Sequence, residues 1–338
     1  MTGTETSLLS VRGLAKRFPI RKGLLRRRVG EVHALNGIDL DIAPGETLGL
    51  VGESGSGKTT AGRAILRLLE PSEGAAHFRS RSLAAAGGPE RIDLFRATKQ
   101  HMKFVRRDMQ IVFQDPFSSL NPRLRVGTNI GEPLRAAGAP KRERLHKVER
   151  LVQDVGLRPE VVRRFPHELS GGQRQRVAIA RALALEPQFI VADEAVSALD
   201  VSIQAQVLNL FVDLQRARGL TYLFVAHNLA VVRYVSHRIA VMYLGRIVEL
   251  AETDALFARP RHPYTEALID SVPGAAGARA VLQGEPPSAT APPPGCPFHP
   301  RCRYAAPVCR TDRPALRQVT PASAAACHFA EELDLHGT

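Results

Sequence analysis

"TLGLVGESGSGKTT", residues 47–60, runs from an apolar strand through a glycine-rich loop into a helical stretch. It fits the phosphate-loop pattern G-x-x-x-x-G-K-[ST] in the context that pattern needs, a strand before and a helix after. Glycines let the backbone wrap closely enough for successive N–H groups to point at phosphate oxygens, and the following helix adds its positive N-terminal end. Gly52, Ser54, Gly55, Ser56, Gly57, Lys58, Thr59 and Thr60 are therefore the candidate nucleotide cradle, with Lys58 reaching the β- and γ-phosphates and Thr59 ligating Mg²⁺. A glycine-rich turn without a ligand gives the same local pattern, so other stretches have to decide.

Two of them do. "FIVADE" (189–194) is an apolar strand ending in two carboxylates. At the carboxyl edge of a sheet, Asp193 would hold hydrated Mg²⁺ and Glu194 would orient and deprotonate an attacking water. "ELSGGQRQR" (168–176) sets Ser170 as the cap of a helix whose first amides two glycines leave bare, a second anion-binding terminus. One triphosphate does not need two cradles, so the second suits a nucleotide held by another subunit.

The first fifty residues read as short strands and turns. Strand-like apolar runs follow at "MQIVFQ" (109–114), "FIVAD" (189–193), "TYLFVAH" (221–227) and "RIAVMYLGRIVEL" (238–250). Helical patterns cover Thr59 to Leu69, Asp115 to Pro187 and Ile203 to Arg218. Buried strands alternating with helices predict an α/β fold on a parallel sheet. No apolar run approaches the roughly 18 residues of a membrane span, and no hydrophobic stretch follows a basic start at the N-terminus. The expected compartment is the cytoplasm, where thiols stay reduced. Net charge is +13, but only 7 of the 46 basic residues are Lys. The densest basic cluster, residues 21–30, has no interleaved aromatics, which argues against a nucleic-acid partner.

The ordered set resembles the ATP-binding subunits of ABC transporters: phosphate loop 52–60, Gln114 after "QIVF", "LSGGQ" 169–173, Asp193–Glu194, "SALD" 197–200 and His227. The resemblance implies a P-loop NTPase (RecA-like) fold over 1–258, with an antiparallel β subdomain and a helical signature subdomain at about 115–186. It also implies that two such subunits sandwich two ATP molecules. Gln114 would sense Mg²⁺ and the attacking water, and His227 would touch the γ-phosphate. Ser170, Gly171, Gly172 and Gln173 would face the ATP of the opposite subunit, with Ser170 and Gly172 contacting its γ-phosphate. Asp200 would lie at the dimer seam, and Phe18 would stack on adenine. Where the family usually has Pro-Thr after the catalytic Glu, this chain has Ala195-Val196, which puts the loop geometry in question rather than the activity.

"VFQDPFSSLNPR" (112–123), "DEAVSALDVSIQAQVLNL" (193–210), "RPRHPYTEALIDSVP" (259–273) and "CPFHPRC" (296–302) narrow the resemblance to dipeptide/oligopeptide-type importers. The insertion "RKGLLRRRVGEVHAL" (21–35) resembles the second of the paired ATPases in those systems, which implies a heterodimer. The implied partners are a second ABC ATPase, two transmembrane permease subunits and, indirectly, an extracytoplasmic solute-binding protein. The implied location is peripheral, on the cytoplasmic face of the bacterial inner membrane. Solutes of such systems include peptides, nickel, glutathione-like peptides and sugars, and the ATPase sequence does not choose among them. The competing readings are a soluble ABC-type ATPase of DNA repair or translation, and a regulatory ATPase whose tail responds to iron or redox state.

The extension, residues 259–338, holds all four cysteines, Cys296, Cys302, Cys309 and Cys327, spaced C-x5-C-x6-C-x17-C. This is not the paired C-x2-C of common zinc modules. Four thiolates on proline-rigid loops suit zinc or a four-iron cluster, and the resemblance favours 4Fe–4S. The alternative is four plain thiols in a loosely packed cap, with His299 and His328 as neighbouring candidate ligands.

Overall fold

The computed structural model describes residues 6–23, 27–271 and 284–337. Strands β1 (Leu9–Lys22), β2 (Arg27–Ile42), β4 (Glu73–Arg79) and β5 (Arg91–Asp93) form an antiparallel sheet in the order β2-β1-β4-β5. A mixed sheet is built from β3 (Thr47–Val51), β6 (Met109–Val112), β7 (Phe189–Asp193), β8 (Thr221–Val225), β9 (Arg238–Tyr243), β10 (Arg246–Glu252), β11 (Arg317–Thr320) and β12 (Ser323–Ala325). Its order is β11-β12-β10-β9-β3-β8-β7-β6. The stretch from β6 to β9 is parallel, and β10, β12 and β11 extend it antiparallel.

Strict alternation in the parallel strands divides the apolar residues between two cores. Leu223 and Val225 of β8 face one core and Tyr222 and Phe224 the other; in β7 the same split separates Phe189 and Val191 from Ile190 and Ala192. The first core joins the antiparallel sheet and helix Lys58–Ile65 to the central sheet. The second joins helices Val126–Ala136, Lys141–Asp154, Gly171–Leu183 and Val201–Arg218 to its opposite face. Strands β3, β7 and β8 are buried at every residue, as parallel strands covered on both faces must be.

Several expectations are corrected. The N-terminal short strands are two long ones of 14 and 16 residues, carried past their own sheet partners by bulges in the β1/β2 ladder. The run 238–250 is not one strand but a hairpin, turned at Leu244 and Gly245, both with positive φ. The helix after the phosphate loop ends at Ile65, four residues short of Leu69, because Arg67 takes a left-handed conformation. Strand β8 ends at Val225, so His227 lies in the loop beyond it.

The extension is not a loose cap. β12 hydrogen-bonds to β10, and Cys296, Phe298 and Cys309 belong to the second core. Buried Glu266 accepts from Arg303 at 2.9 Å and from the His336 amide at 3.0 Å. The proline-rich stretch 274–295 lies partly outside the described residues, as do residues 24–26 of the basic cluster. Its described half passes beside the phosphate loop, where the His33 amide donates to the Ala289 carbonyl at 3.0 Å.

Candidate functional site

Because β6, β7, β8 and β3 are parallel neighbours, their carboxyl ends deliver four loops to one edge of the sheet. These carry Gln114, Asp193 with Glu194, His227, and the phosphate loop. Ligands of open α/β sheets bind at this edge.

The loop folds tightly because its last glycine permits it. Gly57 caps helix Lys58–Ile65 at φ 105°, and a Cβ there would lie 2.4 Å from the Ala34 carbonyl oxygen. No other residue fits. Lys58 is buried, and its ammonium donates to the carbonyls of Gly52 (2.7 Å) and Glu53 (2.8 Å). Burial lowers its pKa from the ordinary lysine value, against the opposing pull of Glu194, Asp193 and Glu53. One residue on, the Thr59 hydroxyl donates to Asp193 Oδ1 at 2.8 Å. A hydroxyl and a carboxylate meeting at the mouth of the loop are hard oxygen donors of the kind Mg²⁺ takes.

Glu194 follows directly in a left-handed conformation, φ 49°. For a non-glycine residue this costs on the order of 1–3 kcal/mol and persists only where the surroundings hold it. Here its amide donates to the Val225 carbonyl (3.0 Å), and its own carbonyl accepts from the Ser197 amide (3.1 Å) and hydroxyl (3.0 Å). Ala195 and Val196, in place of Pro-Thr, are buried in the core beneath this turn. The Glu194 carboxylate lies 3.7 Å from His227 Nδ1.

The remaining candidates sit apart from this cluster. Ser170 caps the 13-residue helix Gly171–Leu183 by accepting from the Gln173 amide (3.3 Å), while the Gln173 side chain accepts from the Ser170 amide (3.1 Å). This capping box leaves Ser170 and Gly171 at the surface, whereas Gly172 packs so closely that a Cβ would meet Ile203 Cγ2 at 2.4 Å. Gln114 and Asp200 are exposed. Phe18 is half-buried on β1, with the Lys16 ammonium 5.0 Å from its ring centre. Among the described residues, no hydrogen bond or ion pair ties Phe18, Gln114, Ser170, Gly171, Gly172, Gln173 or Asp200 to the phosphate loop.

Sequence reading missed Arg63, whose guanidinium lies 3.5 Å from Asp193 Oδ2 and about over the Phe113 ring, next to Gln114. The signal was its i+4 spacing from Thr59, which puts both on one helix face. It also missed Asn129. Its side chain accepts from the Asn121 amide (2.8 Å) and donates to the carbonyls of Asn121 and Leu124, holding the loop that follows Gln114.

Cys296, Cys302, Cys309 and Cys327 carry free thiols and line one pocket with His262, His299 and His328. Burial pushes Cys302 up to about 11 and Cys327 up to about 12. His299 Nδ1 is taken up by the Cys296 carbonyl and His328 Nε2 by that of Asp312. The expected metal centre is not preformed: among the described residues no three His, Cys, Asp or Glu side chains come together as a group that could hold a metal ion. Among the same residues no helix is long and apolar enough to cross a membrane.

Comparison with known proteins identifies the family. The ABC transporter family matches residues 35–197, and the oligopeptide/dipeptide transporter C-terminal region matches 248–309. The chain is 47% identical over 332 residues to the oligopeptide transport ATP-binding protein AppF of Bacillus subtilis, covering 96% of this chain and 98% of that one. It is 54% identical over 267 residues to the glutathione import ATP-binding protein GsiA of Salmonella choleraesuis, covering 79% of this chain and 41% of that one. Among solved structures, the dimeric post-hydrolysis state of the ATP-binding cassette MJ0796 bound to ADP and Pi superposes with a TM-score of 0.61. It is 28% identical and covers 72% of this chain and 98% of that one. The repair, translation and regulatory readings find no support in these matches. The chain belongs to the ABC transporter ATPases, in the group that carries the oligopeptide/dipeptide transporter C-terminal region.

Proposed function

We propose that this chain is the ATP-hydrolysing subunit of an importer for peptides or related small solutes, and that it works face to face with a second cassette. The observation that carries the reading is the split of the site. Lys58, Thr59, Asp193, Glu194 and His227 gather at one sheet edge, while Ser170 and Gly171 lie exposed at a helix terminus that, among the described residues, has no hydrogen bond or ion pair to that cluster. In this reading Gly52 and Ser54 to Thr60 cradle the phosphates, and Lys58 exchanges its carbonyl partners for the β- and γ-oxygens. Thr59, Asp193 and Gln114 would hold Mg²⁺, which would supply charge neutralisation to the triphosphate. Glu194 takes the proton of the attacking water, with His227 beside it at the γ-phosphate. Ser170, Gly171, Gly172 and Gln173 complete the ATP site of the opposite cassette, with Asp200 at the seam and Phe18 against adenine. Hydrolysis then proceeds by positioning and charge stabilisation of an in-line attack.

The partners in this reading are two permease subunits, a second ATPase distinct from this chain, and a solute-binding protein outside the membrane, with this chain peripheral to the cytoplasmic face. Relatives named for oligopeptide and for glutathione transport are both close, so the solute stays a class. In this reading the four thiols would hold an iron–sulfur cluster. What supports this is that all four cysteines line one pocket and that thiolates are the usual ligands of such clusters. Iron and sulfide analysis of the anaerobically purified complex tests this, and a colourless, metal-free, fully active preparation removes the cluster.

The test of the whole reading is Glu194→Gln in the assembled complex. ATP binding should persist while turnover falls about 10²–10⁴-fold, the usual loss on removing a general base. Undiminished turnover would take Glu194 out of its role.

A further inference from the structure

Glu53 is an odd residue for its position. It is the second residue of the phosphate loop, and a free carboxylate there would repel the triphosphate that the loop must bind. It is not free. Arg301 Nη1 donates to Glu53 Oε2 at 2.6 Å and Nη2 to Oε1 at 3.0 Å, a two-pronged pair from 248 residues away. The Arg301 side chain is only 5% exposed. Two further contacts hold the same residue: the Glu53 amide donates to the Tyr264 hydroxyl at 2.7 Å, and its carbonyl accepts from Lys58 Nζ at 2.8 Å.

Arg301 is itself fixed. It ends the turn His299–Arg301, which lies between Cys296 and Cys302, and its amide donates to the Phe298 carbonyl at 3.0 Å. The Phe298 ring packs on Tyr243 and Tyr264 at centroid distances of 5.3 and 5.4 Å. Arg301 Nη1 also reaches the Tyr243 hydroxyl at 3.4 Å. The thiol-bearing turn and the phosphate loop are therefore joined through one guanidinium and one aromatic stack.

We propose that Arg301 is a positioning residue for ATP hydrolysis. It acts through Glu53, neutralising that carboxylate and holding the peptide whose carbonyl seats Lys58, so that the extension sets the loop's grip on nucleotide. The proposal rests on the phosphate-loop reading given above. A forked Arg–carboxylate pair is both strong and directional, and Arg301 is the group that turns a charge hostile to phosphate into a neutral strut.

The test is steady-state hydrolysis of MgATP by the assembled transporter. Arg301→Ala should raise KM about tenfold, the size of losing a hydrogen bond to a charged group, with kcat changed much less. In Glu53→Gln/Arg301→Ala the unpaired carboxylate is gone, and KM should return to within about threefold of the parent. Arg301→Lys, which keeps the charge but not the fork, should fall between. An unchanged KM in Arg301→Ala overturns the proposal. So does an equal rise in the single and double variants, which is what mere anchoring of the extension predicts. If Arg301→Ala does not assemble, the KM of Arg301→Lys with and without Glu53→Gln decides by the same rule. Lys58→Ala in the same assay guards the premise: intact ATP binding there defeats the phosphate-loop reading itself, whereas lost binding there with a normal Arg301→Ala defeats only the role of Arg301.

Discussion

The two flanks of the central sheet are built by different rules. At the carboxyl ends of β6, β7, β8 and β3, each functional residue lies within a few positions of the strand that delivers it. At the other flank β12 pairs with β10, and the extension is tied down by pairs far apart in the chain, Glu53 with Arg301 and Glu266 with the His336 amide. The first flank needs particular backbone shapes, so it spends glycines and caps in fixed order. The second needs only complementary partners, and these leave no local pattern. Yet both share one core, since Phe298, Cys296 and Cys309 join the same apolar cluster as Tyr222 and Phe224.

The sharpest way to break that comparison is to remove the aromatic at the joint. Phe298 is 2% exposed, and its truncation to Ala should cost about 3–5 kcal/mol, as should Phe211→Ala in the body. If the extension shares the core, denaturant unfolding of Phe298→Ala stays a single transition moved to lower midpoint. A separate early transition, leaving the main one in place, would show the extension to be an independent cap.

A smaller effect tests the seam chemically. Glu249 on β10 is fully buried and accepts from the amides of Arg261 (2.8 Å) and His262 (3.0 Å). Burial outweighs these bonds and pushes its carboxyl up to about 7. A carboxyl that holds its proton more tightly folded than unfolded stabilises the fold at low pH. That contribution fades from the unfolded titration range, about 4.3, upward to about 7. Buried His262, pushed down to about 3, acts oppositely, losing stability as pH falls from about 6.5. The difference between Glu249→Gln and the parent isolates the carboxyl. The variant should gain on the parent as pH rises from about 4.3 to 7, by up to about 4 kcal/mol, and level off above. A pH-independent difference in thermal stability would mean that the carboxyl titrates normally.

Legibility follows the same division. The parallel sheet, the phosphate loop, the Ser170 cap and the Asp193–Glu194 pair were readable because each is a local shape with few residues able to make it. The β9–β10 hairpin was missed because Leu244, a poor candidate for a left-handed turn residue, hides it inside a continuous apolar run. The long β1–β2 hairpin was missed because its bulges interrupt the alternation that marks a strand. Arg301 was unreadable in principle: an arginine between two cysteines says nothing about a glutamate 248 residues earlier. The four cysteines line one pocket, but their spacing does not reveal whether a metal is held there, and among the described residues no group that could hold a metal ion comes together.

The smallest effect in stability carries its own question about function. The Ser170 hydroxyl caps its helix through the Gln173 amide, and the proposed dimer gives the same hydroxyl a second task, at the γ-phosphate of the opposite cassette. The two tasks separate because glycine is a tolerable cap and alanine is not. Ser170→Ala should cost about 1 kcal/mol of stability and Ser170→Gly a few tenths. If the hydroxyl only caps, turnover should follow stability, with the Gly variant close to the parent. If it also reaches nucleotide, both variants lose the same contact, and kcat/KM should fall about tenfold in each despite their different stabilities. The second pattern is expected from the proposed dimer, in which the exposed Ser170 at the helix tip meets the nucleotide of the opposite cassette.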